Sequence, residues 1–289
     1  MSPGERTGLR CLRVMHFLLA RSGLFMAIFL LCLLSERANR EKQPPIHPWI
    51  IYLHAGVYLV TSTGMSARLL PSASVFVASV FYLHLAYIFM FEPKMDYVPW
   101  LRLRAALRLA ALAGASIRML SAGSFSVAKW RDKLANILSG CVCALLGLLS
   151  LPMTLTHVDK AAQHQELSSA FPQVFVSNFI HWVIGVSFLL AFLAYTFPVL
   201  VILPSGNSEN PTFSTLVSWA DRLTCVAWTL TLVCKDLNWR YWQAQGVDFW
   251  LQNLFLLMEV LIIVSIIVGV SLPWLSEVVV PPDRRKKDN

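Results

Sequence analysis

Three histidines and four ionised side chains are the residues whose types and placing could do chemistry in this sequence. His54, His84 and His181 sit inside apolar stretches. Three imidazoles brought together there would make a metal or proton site; the plainer reading is three polar residues that hydrogen-bond one helix to the next. Arg21, Asp221, Arg222 and Glu259 also interrupt apolar stretches. An ionised group near the centre of a bilayer costs about 2.5–3.5 kcal/mol on insertion scales, so such groups pair or line a cavity. Asp221 and Arg222 are adjacent, roughly 100° apart around a helix, so each needs a partner elsewhere. Arg222 and Glu259 lie at similar depths in consecutive antiparallel segments, which predicts an Arg222–Glu259 pair, and Arg118 is the candidate for Asp221. These groups read either as a buried pair that fixes helix register or as a coupled ion or proton pathway. The first is favoured, because Pro71, Pro152 and Pro198 do not mark broken helices in matching halves of the chain as transporters do.

The usual enzyme signatures are missing. The chain has no GxSxG, HExxH, Walker loop, GxGxxG or CxxC, and its six cysteines show no zinc-ligand spacing. No catalytic, cofactor-binding or metal-ligating set is therefore expected, and the reading is of a protein that is not an enzyme.

The elements that must position these residues follow from composition. Of 289 residues, 56% are hydrophobic and only 14% charged, against roughly 25% charged in soluble domains; the mean hydropathy is +0.60. So little charge cannot cover a globule of this size, and lipid is the natural solvent for most of the chain. The net charge of +8 comes from 24 Lys and Arg scattered between apolar runs. That pattern sets topology and meets anionic headgroups rather than nucleic acid.

A spanning helix needs about 20 mainly apolar residues. Eight stretches qualify: 14–34, 48–67, 69–91, 105–128, 134–158, 172–203, 212–234 and 249–274. The fold class expected is all-α, an integral membrane bundle of about eight transmembrane helices in one membrane-embedded domain. Seven spans is the nearest alternative. The first stretch reads as a retained signal-anchor. The fourth is the weakest, because Arg108 and Arg118 require neighbouring helices to shelter them. An even count puts both termini on one side, although Lys and Arg divide almost equally between the two sides. The run from Asp236 to Trp242, with Phe249-Trp250, reads as an aromatic interface belt with Arg240 reaching for headgroups, or as a lipid-head pocket.

Three short stretches carry a further signal. They are Ser35-Glu36-Arg37-Ala38 leading into Pro44-Pro45 and Pro48, then Tyr97-Val98-Pro99-Trp100-Leu101-Arg102-Leu103-Arg104, then Tyr241-Trp242 followed by Val247-Asp248-Phe249-Trp250. In order and in position before the second, fourth and eighth helices they resemble the transmembrane protein 101 family, of which this chain looks like a longer, divergent member. The resemblance implies a multi-pass protein of about eight helices with a loose association to activation of NF-kappa-B signalling. It carries over no catalytic or ligand residue.

The chain ends Arg284-Arg285-Lys286-Lys287-Asp288-Asn289. Lys286 and Lys287 match the dilysine address that coat proteins read on membrane cargo returning to the endoplasmic reticulum, and such addresses are read by receptors. The same cations also suit an ordinary positive-inside cluster. The expectation is therefore a non-enzymatic membrane protein of the early secretory pathway with both termini cytosolic. Its partners would be the lipid bilayer, unidentified membrane proteins and, through the tail, coat proteins. The alternative is a small-solute or proton transporter using Asp221, Arg222 and Glu259.

Overall fold

Proline marks where many of the helices begin. Pro3, Pro48, Pro71, Pro99 and Pro211 each occupy a first helical position, where the missing N–H costs nothing and the fixed φ suits the helix. The computed structural model describes residues 3–39, 46–67, 71–93, 97–123, 130–150, 174–205, 211–244 and 246–279. Among these residues every regular element is helical: α1 Pro3–Ala20, α2 Ser22–Asn39, α3 Pro48–Ser66, α4 Pro71–Phe91, α5 Pro99–Gly123, α6 Trp130–Leu149, α7 Val174–Ser205, α8 Pro211–Thr231, α9 Trp239–Ala244 and α10 Phe249–Val279. A π turn, Leu232–Asp236, extends the end of α8.

Among the described residues, four helices are long and apolar enough to cross a membrane: Ser22–Asn39, Pro71–Phe91, Phe179–Leu200 and Phe249–Gly269. The other long helices carry more polar groups, such as Thr61, Ser62 and Thr63 on α3, or Arg102, Arg104 and Arg108 on α5. Neighbours in sequence pack side by side from α2 round to α8, and α10 runs against α1, α2, α5, α6 and α8. In α10's apolar stretch 67% of residues are buried, against 33–39% in the other three, so α10 is the axis of the bundle.

The first expected span, 14–34, falls on two consecutive helices: a one-residue break at Arg21, across which the Phe25 N–H still bonds the Arg21 carbonyl, divides α1 from α2, and the helix apolar enough to span is Ser22–Asn39. Close packing accompanies that break. A Cβ at Gly23 would lie 2.6 Å from the backbone oxygen of Tyr58, so α2 and α3 touch backbone to backbone there. The Ser62 hydroxyl, which donates to the carbonyl of Ala20 at 3.2 Å, ties α3 to the end of α1. Gly23→Ala is expected to push α2 from α3 and cost about 1–3 kcal/mol, read as a lower thermal midpoint in detergent. An unchanged midpoint would contradict the close approach.

The fourth expected span, 105–128, is described as far as Gly123 on α5, where Arg108 is buried. Ala105, Ala111, Ala113 and Ala115 of α5 are almost fully buried. The Ser139 hydroxyl of α6 donates to the Gly114 carbonyl at 2.6 Å. The small residues that dilute the hydrophobicity of α5 are thus its packing surface. At its start Arg102 donates to the carbonyls of Phe89, Met90 and Glu92 at 3.0, 2.8 and 2.7 Å, satisfying the unpaired end of α4. The side chain of Arg118, residues 69–70, 124–128, 151–158 and 172–173 of the expected spans, and Lys286 and Lys287 lie outside the described residues.

Candidate functional site: a buried charge cluster

Arg104 and Arg108 stand one turn apart on α5, with relative exposures of 3% and 1%. Spacing of i, i+4 puts both on one face, the face that meets α10. The π turn at the end of α8 shifts the register and delivers Asp236 into the same interior; such single-turn insertions often accompany a functional position. Glu259 enters from α10 and is fully buried.

Three helices therefore place four charges together. Arg104 Nη2 donates to Asp236 Oδ1 at 2.5 Å. Arg108 Nη2 donates to both Asp236 Oδ2 and Glu259 Oε1, and its Nε donates to Glu259 Oε1 at 2.7 Å. The rings of Trp242 and Phe255 each lie 5.1 Å from a guanidinium, of Arg104 and Arg108 respectively. Gln252 Nε2 adds a bond to the backbone oxygen of Asp236 at 3.2 Å. Two guanidiniums face two carboxylates, and the indole and phenyl rings pack against the guanidiniums, so each ion depends on the others. Arg108 Nη1 and Glu259 Oε2 are buried with no hydrogen-bond partner among the described residues: the cluster is paired without being saturated in bonds.

A second polar group closes the end of α10. Arg37 at the end of α2 meets Asp248 at 3.3 Å, and the Tyr97 hydroxyl donates to the same carboxylate oxygen at 2.7 Å. Burial, reinforced by the Asp248 charge, pushes the Tyr97 phenol far above its ordinary range, so it remains a hydrogen-bond donor. The Glu36 carboxylate accepts the backbone N–H groups of Phe249 and Trp250 at 3.0 and 2.9 Å, a cap that also suits the helix dipole. Gly246, at φ 67°, ends α9. The N–H of Gly246 reaches the Gln243 carbonyl and that of Val247 reaches Trp242, the paired bonds of a Schellman turn that swings Asp248 inward.

The residues expected from the sequence are only partly brought together. The Arg222–Glu259 pair does not form: Glu259 is held by Arg108, while Arg222 faces outward with its guanidinium 5.4 Å from the centre of the Trp219 ring. Depth along two helices fixed how far each residue sat from the loop but left its direction around the axis open. Asp221 is buried and accepts the hydroxyl of Tyr195 on α7. Arg21, half-buried at the α1–α2 turn, lies over the Phe17 ring at 4.3 Å.

Of the three histidines, two meet. His84 Nδ1 is 3.3 Å from His54 Nε2, and His54 Nδ1 is 2.8 Å from the Ile50 carbonyl, which makes Nδ1 the protonated nitrogen. Among the described residues no group of three His, Cys, Asp or Glu could hold a metal ion, so His181 completes no such set. The aromatic-belt reading fails for two of its rings: Tyr241 and Trp242 are buried at 5% and 0% exposure, and Trp242 packs 5.7 Å from Trp100, whereas Phe249 is exposed.

Arg108 is the residue of this cluster that the sequence marks as needing shelter, without naming its partners. Arg37, Tyr97, Arg104, Asp236 and Asp248 stand in or near the ends of helices, outside the apolar stretches, and the signal for Arg104 is its i, i+4 spacing from Arg108. The chain matches no protein-family model, no curated protein and no solved structure.

Proposed function

We propose that this chain is a non-enzymatic multi-pass membrane protein, an eight-helix bundle that acts through partners in the membrane. One observation carries the reading: Arg104, Arg108, Asp236 and Glu259 neutralise one another inside the bundle. Groups locked in mutual pairs hold helices in register; they are poorly suited to picking up and releasing a solute. The transporter alternative needs Asp221, Arg222 and Glu259 to act together, yet each has a different surrounding: Tyr195, the outer face of α8, and Arg108. The family resemblance adds activation of NF-kappa-B signalling as the output of this reading.

Purification of the full chain in mild detergent tests it. The expected result is another membrane protein at fixed ratio through size exclusion, and proteoliposomes of the chain alone that pass no protons. Purified chain that carries protons, and loses that flux in Glu259→Gln, would overturn the reading in favour of the transporter.

The dilysine tail makes the endoplasmic reticulum and early secretory pathway the proposed location, with both termini cytosolic. Lys286→Ser with Lys287→Ser is expected to release the protein to later compartments by microscopy, as is capping the tail with extra residues. Unchanged location in both would leave the tail as a topology signal alone.

A further inference from the structure

The outer face of α8 presents Trp219, Arg222, Val226 and Thr229, all exposed, at alternating intervals of three and four residues. That spacing makes one straight stripe along a helix. Its members other than Arg222 suit an apolar setting: Val226 is aliphatic, and the Thr229 hydroxyl is satisfied by its own helix at the Cys225 carbonyl, 2.8 Å away. Arg222 differs. It stands eleven residues past Pro211, about 16 Å along the helix, which is about half the thickness of a hydrocarbon core. On the facing helix, Tyr195 of α7 is at the same level, bonded to the neighbouring Asp221. The contact of Arg222 with Trp219 is a ring face, and no carboxylate of the described residues forms an ion pair with it.

We propose that this stripe is a docking surface for a transmembrane helix of another protein that carries an aspartate or glutamate near its middle, held by Arg222. Charge complementarity selects the occupant. In the eight-helix reading proposed above α8 spans the bilayer, where a guanidinium at this depth is costly, and an interhelical carboxylate answers it with two parallel hydrogen bonds. Among the described residues, the carboxylates in the interior of the bundle do not supply the acid to a second copy: Asp221, Asp236, Asp248 and Glu259 are 0–2% exposed and already bonded within their own bundle. The inference rests on the partner-acting function proposed above and names the chemistry of the partner.

The test uses the full chain in phosphatidylcholine bilayers with a synthetic polyleucine helix bearing one central glutamate, compared with the same helix bearing glutamine. Association is read by energy transfer. Wild-type protein is expected to prefer the glutamate helix on the order of tenfold. Arg222→Gln should abolish the preference, Arg222→Lys should keep part of it, and Arg222→Glu should shift it to a helix bearing arginine. Equal binding of the two helices to wild type, a comparison that needs no variant to fold, would overturn the proposal. So would a preference that survives Arg222→Gln. A third contrary result is Arg222-dependent thermal stabilisation by phosphatidylglycerol without glutamate-helix binding, which would assign the guanidinium to a headgroup phosphate. The assay reads the face itself. Co-purification reads the partner-acting role, so either can fail alone.

Discussion

Arg108→Leu is expected to remove most of the folded protein from membranes. The substitution takes one guanidinium from two carboxylates that it bonds together. Asp236 retains Arg104, but Glu259 is left fully buried with no cation among the described residues in contact. Breaking a buried ion pair by removing one partner costs about 3–5 kcal/mol, a large part of the stability of a typical fold. The same logic predicts a rescue. Glu259→Leu in the Arg108→Leu background removes the stranded charge and should restore much of the abundance and thermal midpoint, since an apolar replacement of a buried pair is often neutral. Arg222→Leu, on an exposed face of α8, should leave the fold within about 0.5 kcal/mol of wild type. Abundance in membranes and unfolding in detergent read all three.

Asp248→Ala is expected to have the next largest effect, about 3 kcal/mol. It strips the buried Arg37 of its carboxylate and the Tyr97 hydroxyl of its acceptor in one step, at the point where α2, α5 and α10 converge. Asp248→Asn keeps an acceptor for Tyr97 and should cost less than alanine. Tyr97→Phe, which leaves the ion pair in place, should cost about 1 kcal/mol. The order Ala, Asn, then the Tyr97 variant, in falling thermal loss, checks the arrangement; a Tyr97→Phe loss as large as that of Asp248→Ala would contradict it.

Hydropathy makes the all-helical chain and its apolar stretches legible without coordinates, and the crowding of arginine on α5 foretells that this helix must be sheltered. Pairing is less legible. That Asp221 and Arg222 are neighbours means that a helix turns one of them inward and the other outward, but nothing local says which. The structure turns Asp221 toward Tyr195 and Arg222 away. Asp236 was read as part of an aromatic interface because a loop of Trp and Tyr ordinarily sits in headgroups. The π turn and the Schellman turn at Gly246 fold that segment back, burying Trp242 against Trp100 and Phe255. The three stretches that carry the family resemblance meet at this end of the bundle. Glu36 caps α10 at Phe249 and Trp250, Arg37 and Tyr97 share Asp248, and Arg104 lies over Trp242. Contacts between stretches far apart in the chain have no trace in periodicity, so spacing alone does not pair these residues.

The central claim, that ions of α5, α8 and α10 neutralise one another inside the bundle, is tested most directly by two double-mutant cycles on thermal stability in detergent. The first pairs Arg108→Leu with Glu259→Leu, and the account predicts a coupling energy of at least about 2 kcal/mol. The second pairs Arg222→Leu with Glu259→Leu and should show coupling near zero. Additive losses at Arg108 and Glu259, or strong coupling between Arg222 and Glu259, would contradict the account.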